Sequence, residues 1–257
     1  MMNSHFPKMA GEDFDFQRTA LFLDVDGTLL DIAAAPDRVV VPDGLAATIA
    51  RLERLLGGAL AIVTGRTLAD LDRLFFPLRT RAAGVHGAEM RFAPDEVVIE
   101  APGVAPLPDS LWREFAAATN AFPGAAAENK LYSFTAHYRA APNAAAPLRV
   151  ALLSLLERCA ADDLELTDAL HAYELKPSGF DKGKAVRRFL ARPPFVGRRP
   201  MFVGDDSSDE FGFRSVADRQ GFAFAVGLAR PEVDHVFANP AMVRLWLERL
   251  AAQPAAS

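Results

Sequence analysis

Short apolar runs alternate with amphipathic stretches over the first third of the chain. No polar residue interrupts the apolar runs at 20–23 and 59–63. Such runs are typical of strands that are buried on both faces of a parallel sheet. Between the two runs, leucines and Ile49 recur at helical spacing over 45–56, and two glycines end that predicted helix. A second helix is predicted over 67–76. Strand, helix, strand and helix in this order predict parallel βαβ units joined by right-handed crossovers.

A different pattern begins near residue 88 and lasts until about residue 176. It mixes strands with two helices. Strands are predicted at 90–92, 97–100, 130–138, 164–166 and 172–175, and helices at 109–121 and 148–161. The first pattern then resumes, with strands at 200–204 and 222–226. We therefore predict an α/β fold in which a parallel-sheet host carries an inserted α+β module.

The predicted boundaries follow from these changes of pattern. Residues 1–18 are polar and mixed, and we expect a flexible tail there. The host is predicted over 19–87 and again over 177–257, with the inserted module over 88–176.

Composition narrows the class of protein. Apolar residues make up 51% of the 257 positions, which is enough for a sizeable core. The net charge of −5 argues against a nucleic-acid partner. A single cysteine, Cys159, excludes an internal disulfide and is typical of a reducing compartment. We see no signal peptide and no run long enough to span a bilayer, so we expect a cytoplasmic protein without a membrane partner, and a monomer.

Two carboxylates follow the first predicted strand. Asp24 and Asp26 are two residues apart, so their side chains share a face of the chain and could converge on one cation. Gly27 permits a sharp turn after them. Ligands of open α/β sheets collect at the carboxyl ends of the strands. An acidic, solvated turn is the plain alternative for such a motif taken by itself.

Three further motifs occur in order along the chain. Thr64-Gly65-Arg66-Thr67 follows the second strand, Lys182 opens a helix, and the run 204–210, Gly-Asp-Asp-Ser-Ser-Asp-Glu, follows the strand at 200–204. With the DxDGT motif at 24–28, they resemble the four motifs of the haloacid dehalogenase (HAD) superfamily of phosphatases. The resemblance implies a Rossmann-like HAD core with an inserted cap domain.

The resemblance also implies roles for the acids. Asp24 would be the nucleophile that forms an aspartyl-phosphate, and Asp26 would be the general acid/base. Val25, between them, is placed with the substrate-binding residues. Mg²⁺ is the expected cofactor because it prefers oxygen ligands. Asp24, the carbonyl of Asp26 and Asp205 would hold it.

For the motif at 64–67, alternatives stay open. Thr64 and the N–H groups after it are expected to bind phosphate, with Gly65 allowing close approach. A helix cap is the other role for Thr64, but Thr67 with Asp70 fits a capping box better. Arg66 is expected to pair either with the phosphate or with an acidic partner.

The third and fourth motifs complete the predicted site. Lys182 would neutralise the nucleophile and the phosphoryl group, and Lys184 is the better candidate for a plain surface lysine. Asp206 and Asp209 would orient metal-bound water or Lys182 from behind the metal ligands. Ser207 and Glu210 have the spacing of a capping box.

Several segments narrow the substrate because they resemble trehalose-6-phosphate phosphatases. They are Gly84-Val85-His86-Gly87-Ala88-Glu89, Glu128-Asn129-Lys130, the run 135–139 and the run 173–177. The substrate implied is trehalose 6-phosphate, with Glu128, Lys130 and Glu174 binding the sugar hydroxyls. His86 is expected to be either a structural histidine or a substrate contact.

Three other functions compete with this interpretation. One is a HAD phosphatase for another sugar phosphate. A second is a phospho-accepting, receiver-like signalling module, which also groups acids and a lysine around an aspartate. A third is a catalytically inactive sugar-binding regulator, which the presence of the core motifs disfavours.

Overall fold

The structure is a computed structural model that describes residues 14–33, 38–100, 105–159, 163–169, 171–230 and 232–254. These residues fall into two compact units. The core unit lies within 1–99 and 181–257, and the cap unit lies within 100–180.

A single large sheet organises the core unit. Its strands, numbered along the whole chain, are β1 (Thr19–Leu23), β2 (Leu60–Val63), β3 (Arg81–Gly84), β4 (Glu89–Arg91), β5 (Ile99–Glu100), β10 (Arg199–Gly204), β11 (Phe222–Val226) and β12 (His235–Phe237). The sheet has eight strands in the order β12-β11-β10-β1-β2-β3-β4-β5. Neighbours from β12 to β3 pair in parallel, and β4 is antiparallel to β3. This parallel sheet confirms the predicted fold class.

The middle of the sheet is a topological switch point. β1 lies between β2 and β10, so the chain winds outward from β1 in two directions. In open α/β sheets a crevice for ligands forms at the carboxyl ends of the strands at such a point. The residues that follow β1 and β10 therefore enter one crevice.

In the described part of the core unit, five helices accompany the sheet. They are α1 (Leu45–Leu55), α2 (Leu68–Leu74), α5 (Lys182–Leu190), α6 (Glu210–Ala217) and α7 (Pro240–Ala251). Every residue of β1, β2 and β11 is buried, since apolar side chains from both faces of the sheet pack in one large cluster with these helices. None of the described helices is long and apolar enough to cross a membrane.

Residues 14–18 differ from the predicted flexible tail. Phe14 and Phe16 are buried, their ring centroids are 4.8 Å apart, and Phe14 lies edge-on to Trp246 of α7 at 6.5 Å. Two aromatic rings in a polar stretch are enough to anchor the segment that leads into β1. The rest of the predicted tail, residues 1–13, lies outside the described residues.

The cap unit is an α+β module with an antiparallel sheet. Its elements are α3 (Asp109–Asn120), β6 (Ala126–Asn129), β7 (Phe134–His137), α4 (Ala145–Cys159), β8 (Leu164–Ala169) and β9 (Ala172–Pro177). The strand order is β6-β7-β9-β8. Side chains of the strands and both helices share a second apolar cluster that includes Phe115, Phe134 and Leu152.

The unit boundaries differ from the predicted boundaries at 87/88 and 176/177. β4 and β5 extend the core sheet, so the chain leaves the core unit after residue 99. At the other end, the Ser178 N–H donates to the carbonyl of Asp163, and Nζ of Lys176 donates to the carbonyl of Phe180 (2.7 Å). These bonds keep residues 178–180 in the cap unit.

The predicted strand over 130–138 is a hairpin turn followed by a shorter strand. β6 and β7 are antiparallel, and the Lys130 N–H donates to the carbonyl of Ser133 across the turn. Leu131 takes a left-handed φ of 70°, and its N–H donates to Oδ1 of Asn129 (2.8 Å). Apolar and polar residues alternate through the turn as well as along the strand. The sequence pattern therefore does not show where the strand begins.

One guanidinium in the core unit is entirely buried. Arg91 donates to both carboxylate oxygens of Asp72 on α2, each at 2.7 Å, and to the carbonyl of Thr80 (2.8 Å). A buried charge of this kind is stable only while its partner remains. The ion pair therefore ties α2 to β4.

We expect the substitution Asp72→Asn to lower the free energy of unfolding by about 2–4 kcal/mol, because it leaves the Arg91 charge buried without a counter-ion. Asp70→Asn on the same helix is the matched control. Asp70 pairs with Arg73, whose side chain is 75% exposed, so its loss costs less than about 1 kcal/mol. Urea denaturation measures both, and equal losses would contradict the account.

Candidate active site

Two strand ends bring the first and fourth motifs together. Asp24 follows β1, and its N–H donates to the carbonyl of Val203 in the neighbouring β10 (3.0 Å). Asp205 follows β10. Carboxylate oxygens of Asp24, Asp205 and Asp209 all lie within 4.8 Å of one another. The crevice beside β1 therefore contains a compact acidic cluster.

The ammonium of Lys182 joins two of these acids. Lys182 is the first residue of α5, and Nζ donates to Oδ1 of Asp24 (2.8 Å) and to Oδ1 of Asp209 (2.7 Å). Burial by itself would lower the pKa of this lysine, but attraction to Asp209 and Asp24 raises it well above its usual value. Lys182 is therefore a permanent buried cation. Lys184 is half exposed.

Asp209 supports the loop as well as the lysine. Its Oδ2 accepts from the N–H groups of Asp205 (3.0 Å) and Asp206 (3.1 Å), while Oδ1 accepts from Lys182. A Cβ atom on Gly204 would lie 2.3 Å from Cγ of Asp209, so only glycine fits there. Both oxygens of Asp209 are thus engaged in positioning, which leaves Asp24 and Asp205 as the better cation ligands.

The turn after β1 packs directly on Asp205. Gly27 has a φ of 80°, and a Cβ atom on it would lie 2.1 Å from Oδ2 of Asp205. Thr28 donates through Oγ1 to Oδ1 of Asp205 at 3.4 Å. Val25 is fully buried, so its side chain belongs to the core and only its main chain could reach a ligand.

The acidic cluster fits a divalent cation. Burial raises the pKa of the Asp24 and Asp205 carboxyls to about 7 each, and repulsion between the carboxylates adds to the rise although Lys182 opposes it. Two buried carboxylates with this much uncompensated charge are a suitable donor set for a hard cation such as Mg²⁺.

Asp26 forms an ion pair with the second motif. Arg66 donates from Nε and Nη2 to the two carboxylate oxygens of Asp26, both at 2.6 Å. Of the two partners expected for Arg66, the structure therefore shows the acidic one. A two-pronged bond of this kind fixes the orientation of the carboxylate.

Thr64 and Thr67 have separate tasks. Thr64 is buried, and its Oγ1 accepts from the Arg66 N–H at 3.2 Å. Thr67 caps α2, since its Oγ1 accepts from the Asp70 N–H (3.1 Å), as the spacing predicts. The hydroxyl proton of Thr64 remains to donate to a ligand.

The segment after β3 forms hydrogen bonds with the loop at 64–67. The N–H groups of Val85 and His86 donate to the carbonyls of Arg66 and Thr64. Both residues are left-handed, with φ values of 45° and 55°, a strained conformation that tends to occur at functional sites. A Cβ atom on Gly65 would lie 3.0 Å from the His86 ring, so the imidazole packs against the loop.

The capping box at the fourth motif differs from the predicted one. Asp206, not Ser207, is the cap, and Asp209, not Glu210, is its partner. Oδ1 of Asp206 accepts from the N–H and the hydroxyl of Ser208, at 2.8 and 2.7 Å. Burial tends to raise the pKa of Asp206, but Lys182 and these bonds lower it overall.

Arg230 is a site residue that the sequence motifs do not indicate. It lies in the loop after β11, and its Nη2 and Nε donate to the carbonyl of Asp205, at 2.8 and 3.2 Å. Its Nη1 donates to Oε1 of Glu210 (2.8 Å). The guanidinium thus holds the main chain of Asp205 from outside. In the sequence, a role for Arg230 in the site is indicated only by its position after a predicted parallel strand.

The three sugar-binding candidates lie in the cap unit. Glu174 on β9 is buried; its Oε1 accepts from the hydroxyl of Ser133 (2.7 Å) and lies 3.8 Å from Nζ of Lys130. Glu128 on β6 lies 2.8 Å from Nε2 of His137. The cap sheet thus carries a polar face with two carboxylates and an ammonium.

Taken together, the parallel sheet, the acids after β1 and β10 and the buried lysine define a phosphatase of the HAD class. Comparison with known proteins narrows the class further. The family model described as trehalose-phosphatase matches residues 22–237, so the chain belongs to the trehalose-phosphatase family. Membership of an enzyme family excludes the receiver-like interpretation.

Individual relatives agree with this assignment. A probable trehalose-phosphate phosphatase of Sinorhizobium fredii is 43% identical over 84% of this chain and 83% of the relative. The trehalose-6-phosphate phosphatase of Escherichia coli is 36% identical over 90% of this chain and 86% of the relative. The solved C-terminal domain of Candida albicans trehalose-6-phosphate phosphatase has the same fold, with a TM-score of 0.79 at 21% identity over 93% of each chain.

We expect Lys182→Met to lower the free energy of unfolding by about 3–5 kcal/mol when divalent cations are absent, because it leaves Asp24 and Asp209 buried side by side without a counter-ion. Lys184→Met removes a half-exposed lysine from the same helix and costs less than about 1 kcal/mol. Urea denaturation of both variants at neutral pH is the measurement. Similar losses would show that Lys182 is not the counter-ion of the cluster.

Proposed function

We propose that this protein hydrolyses trehalose 6-phosphate to trehalose and inorganic phosphate, with Mg²⁺ as cofactor and Asp24 as nucleophile. The observation that carries the proposal is the contact of Lys182 with both Asp24 and Asp209, next to Asp205. An anionic phosphate can approach a carboxylate nucleophile only where positive charge is fixed in place. Membership of the trehalose-phosphatase family supports the choice of substrate.

The first chemical step is displacement at phosphorus. Lys182 holds Oδ1 of Asp24, and the other carboxylate oxygen attacks. A bond forms between this oxygen and phosphorus, the ester bond to the sugar breaks, and Asp26 gives its proton to the departing sugar oxygen. The product of this step is an aspartyl-phosphate at Asp24.

The second step returns the enzyme to its starting state. Asp26 takes a proton from water, the water oxygen bonds to phosphorus, and the bond between phosphorus and Asp24 breaks. The two hydrogen bonds from Arg66 hold the carboxyl group of Asp26 in one orientation for this proton transfer. Arg66 is therefore a positioning residue for the acid/base.

The residues that would hold Mg²⁺ are Asp24, Asp205 and, through its carbonyl, Asp26. When bound, the ion neutralises charge on the phosphoryl group and polarises its oxygens. Asp206 and Asp209 act behind these ligands, since both cap the loop that carries Asp205 and Asp209 also holds Lys182.

The phosphate contacts are assigned to the loop after β2. The hydroxyl of Thr64 accepts from the Arg66 N–H and donates its own proton to a phosphate oxygen. Gly65 presents its N–H without a side chain in the way. The main chain of Val25 completes this set.

Specificity for the disaccharide is assigned to the cap unit. The carboxylates of Glu128 and Glu174 accept from sugar hydroxyls, and Lys130 donates to them. A site of this kind rejects an analogue that leaves its polar groups unpaired.

The test is phosphate release from trehalose 6-phosphate, glucose 6-phosphate and sucrose 6-phosphate, each with Mg²⁺ and with EDTA. Strong, Mg²⁺-dependent preference for the first substrate is the expected result. Mg²⁺-dependent turnover of another ester would retain the mechanism and overturn the substrate. Release that is equal with EDTA would overturn the cofactor.

Asp24→Asn should reduce turnover by at least about 10³-fold, because an amide oxygen cannot form the aspartyl-phosphate. The fold should be retained, as judged by circular dichroism, since the substitution is isosteric. Asp43→Asn, at an exposed position before α1, is the control and should match the unaltered enzyme. Substantial turnover by the Asp24 variant would remove it as nucleophile.

Arg230→Met should weaken Mg²⁺ binding by about 10–100-fold, because the loop that carries Asp205 loses its outer support. Isothermal titration with Mg²⁺ measures this without any turnover. Arg214→Met is the matched control, since Arg214 also pairs with Glu210 (3.2 Å) but makes no bond to Asp205. Unchanged affinity in the Arg230 variant would exclude a part in the metal site.

A further inference from the structure

Four polar residues form one row across the cap sheet. In the register of the strands, Glu128 of β6 faces Thr135 of β7, Thr135 faces Glu174 of β9, and Glu174 faces Thr167 of β8. Directly opposite residues of antiparallel strands share a face, with Cβ atoms about 4.5–5.5 Å apart. Thr135 is therefore the immediate neighbour of both carboxylates assigned to the sugar.

Three members of the row have partners. Glu128 contacts His137, Glu174 accepts from Ser133, and the hydroxyl of Thr167 donates to the carbonyl of Glu174 at 3.3 Å. Thr135 differs from them. Its side chain is 3% exposed, and among the described residues its Oγ1 has no hydrogen-bond partner.

An unpaired buried hydroxyl is unfavourable for folding. Valine has the same shape and the same preference for strands, and it would avoid that cost. A buried hydroxyl left unpaired in this way calls for an explanation. The polar neighbours of Thr135 on both sides indicate what that explanation is.

We propose that Thr135 is a specificity-determining residue whose hydroxyl bonds to a sugar hydroxyl between Glu128 and Glu174; this rests on the function proposed above. Carboxylates only accept hydrogen bonds, whereas a sugar hydroxyl both donates and accepts. Thr135 supplies a donor between the two acceptors. Adjacent hydroxyls of one ring can then donate to the two carboxylates and accept from the threonine.

The contacts now made by the two carboxylates are of the kind that a sugar can replace. At Glu128, a ligand hydroxyl replaces the contact with His137. At Glu174, a ligand hydroxyl replaces the distant contact with Lys130, which is 3.8 Å long. The Ser133 hydroxyl keeps Glu174 in place during the exchange. Once these side chains turn to the ligand, the hydroxyl of Thr135 faces it as well.

The test compares Thr135→Val with Thr167→Val, the same substitution in the same row. For each variant, kcat and KM are measured with trehalose 6-phosphate and with p-nitrophenyl phosphate, and Tm is recorded. We expect Thr135→Val to lower kcat/KM for trehalose 6-phosphate about tenfold, mainly through KM. The loss with p-nitrophenyl phosphate should be smaller. Tm should not fall, because no bond within the protein is lost.

Thr167→Val should behave in the opposite way. It removes an internal hydrogen bond, so Tm should fall by about 2–4 °C while kcat/KM for trehalose 6-phosphate stays within about twofold. Thr135→Ser keeps the hydroxyl and should retain most of the kcat/KM that the valine variant loses.

Two results would overturn the proposal. One is a Thr135→Val enzyme with unaltered kcat/KM for trehalose 6-phosphate, and the other is an equal loss with both substrates. Failure of the proposed function would be seen separately, because the unaltered enzyme itself would then hydrolyse p-nitrophenyl phosphate but not trehalose 6-phosphate.

Discussion

The site depends on one buried cation, the ammonium of Lys182 between Asp24 and Asp209. Each of these charges costs several kcal/mol to remove from water, so they are stable only at contact distance. Two glycines allow the close packing that brings these charges into contact. A Cβ atom on Gly183 would lie 2.3 Å from the carbonyl of Phe211, and one on Gly204 would collide with Asp209. Close packing of α5 against α6 therefore accompanies the contact of Lys182 with the two acids.

The remaining charges of the site are arranged around this contact. Asp24 and Asp205 face the crevice with more negative charge than Lys182 can balance, which is why their pKa values are raised and a divalent cation fits. Arg66 and Arg230 each hold one part of the acidic loops by two hydrogen bonds. The two arginines orient the acidic loops, whereas Lys182 balances part of the buried negative charge.

The sequence was sufficient where a local rule decides the structure. The parallel sheet, the strand ends that carry the motifs and the Thr67 cap follow from short patterns that lie within one element. It was insufficient where the deciding contact is distant or ambiguous. Arg230 meets Asp205 only through the fold, Phe14 is held by Trp246, and an alternating pattern concealed the turn at Lys130.

The order of the site along the chain has a consequence for synthesis. Asp24 and Lys182 are 158 positions apart, and Thr28 and Asp205 are 177 apart, with the entire cap unit between them. Contacts of such long range close late, since the entropy of the intervening chain opposes them. A nascent polypeptide therefore holds Asp24 without its counter-ion until the cap unit and Lys182 have been synthesised. The acidic cluster is thus complete only after the segment that carries Asp205 and Asp209 has been synthesised.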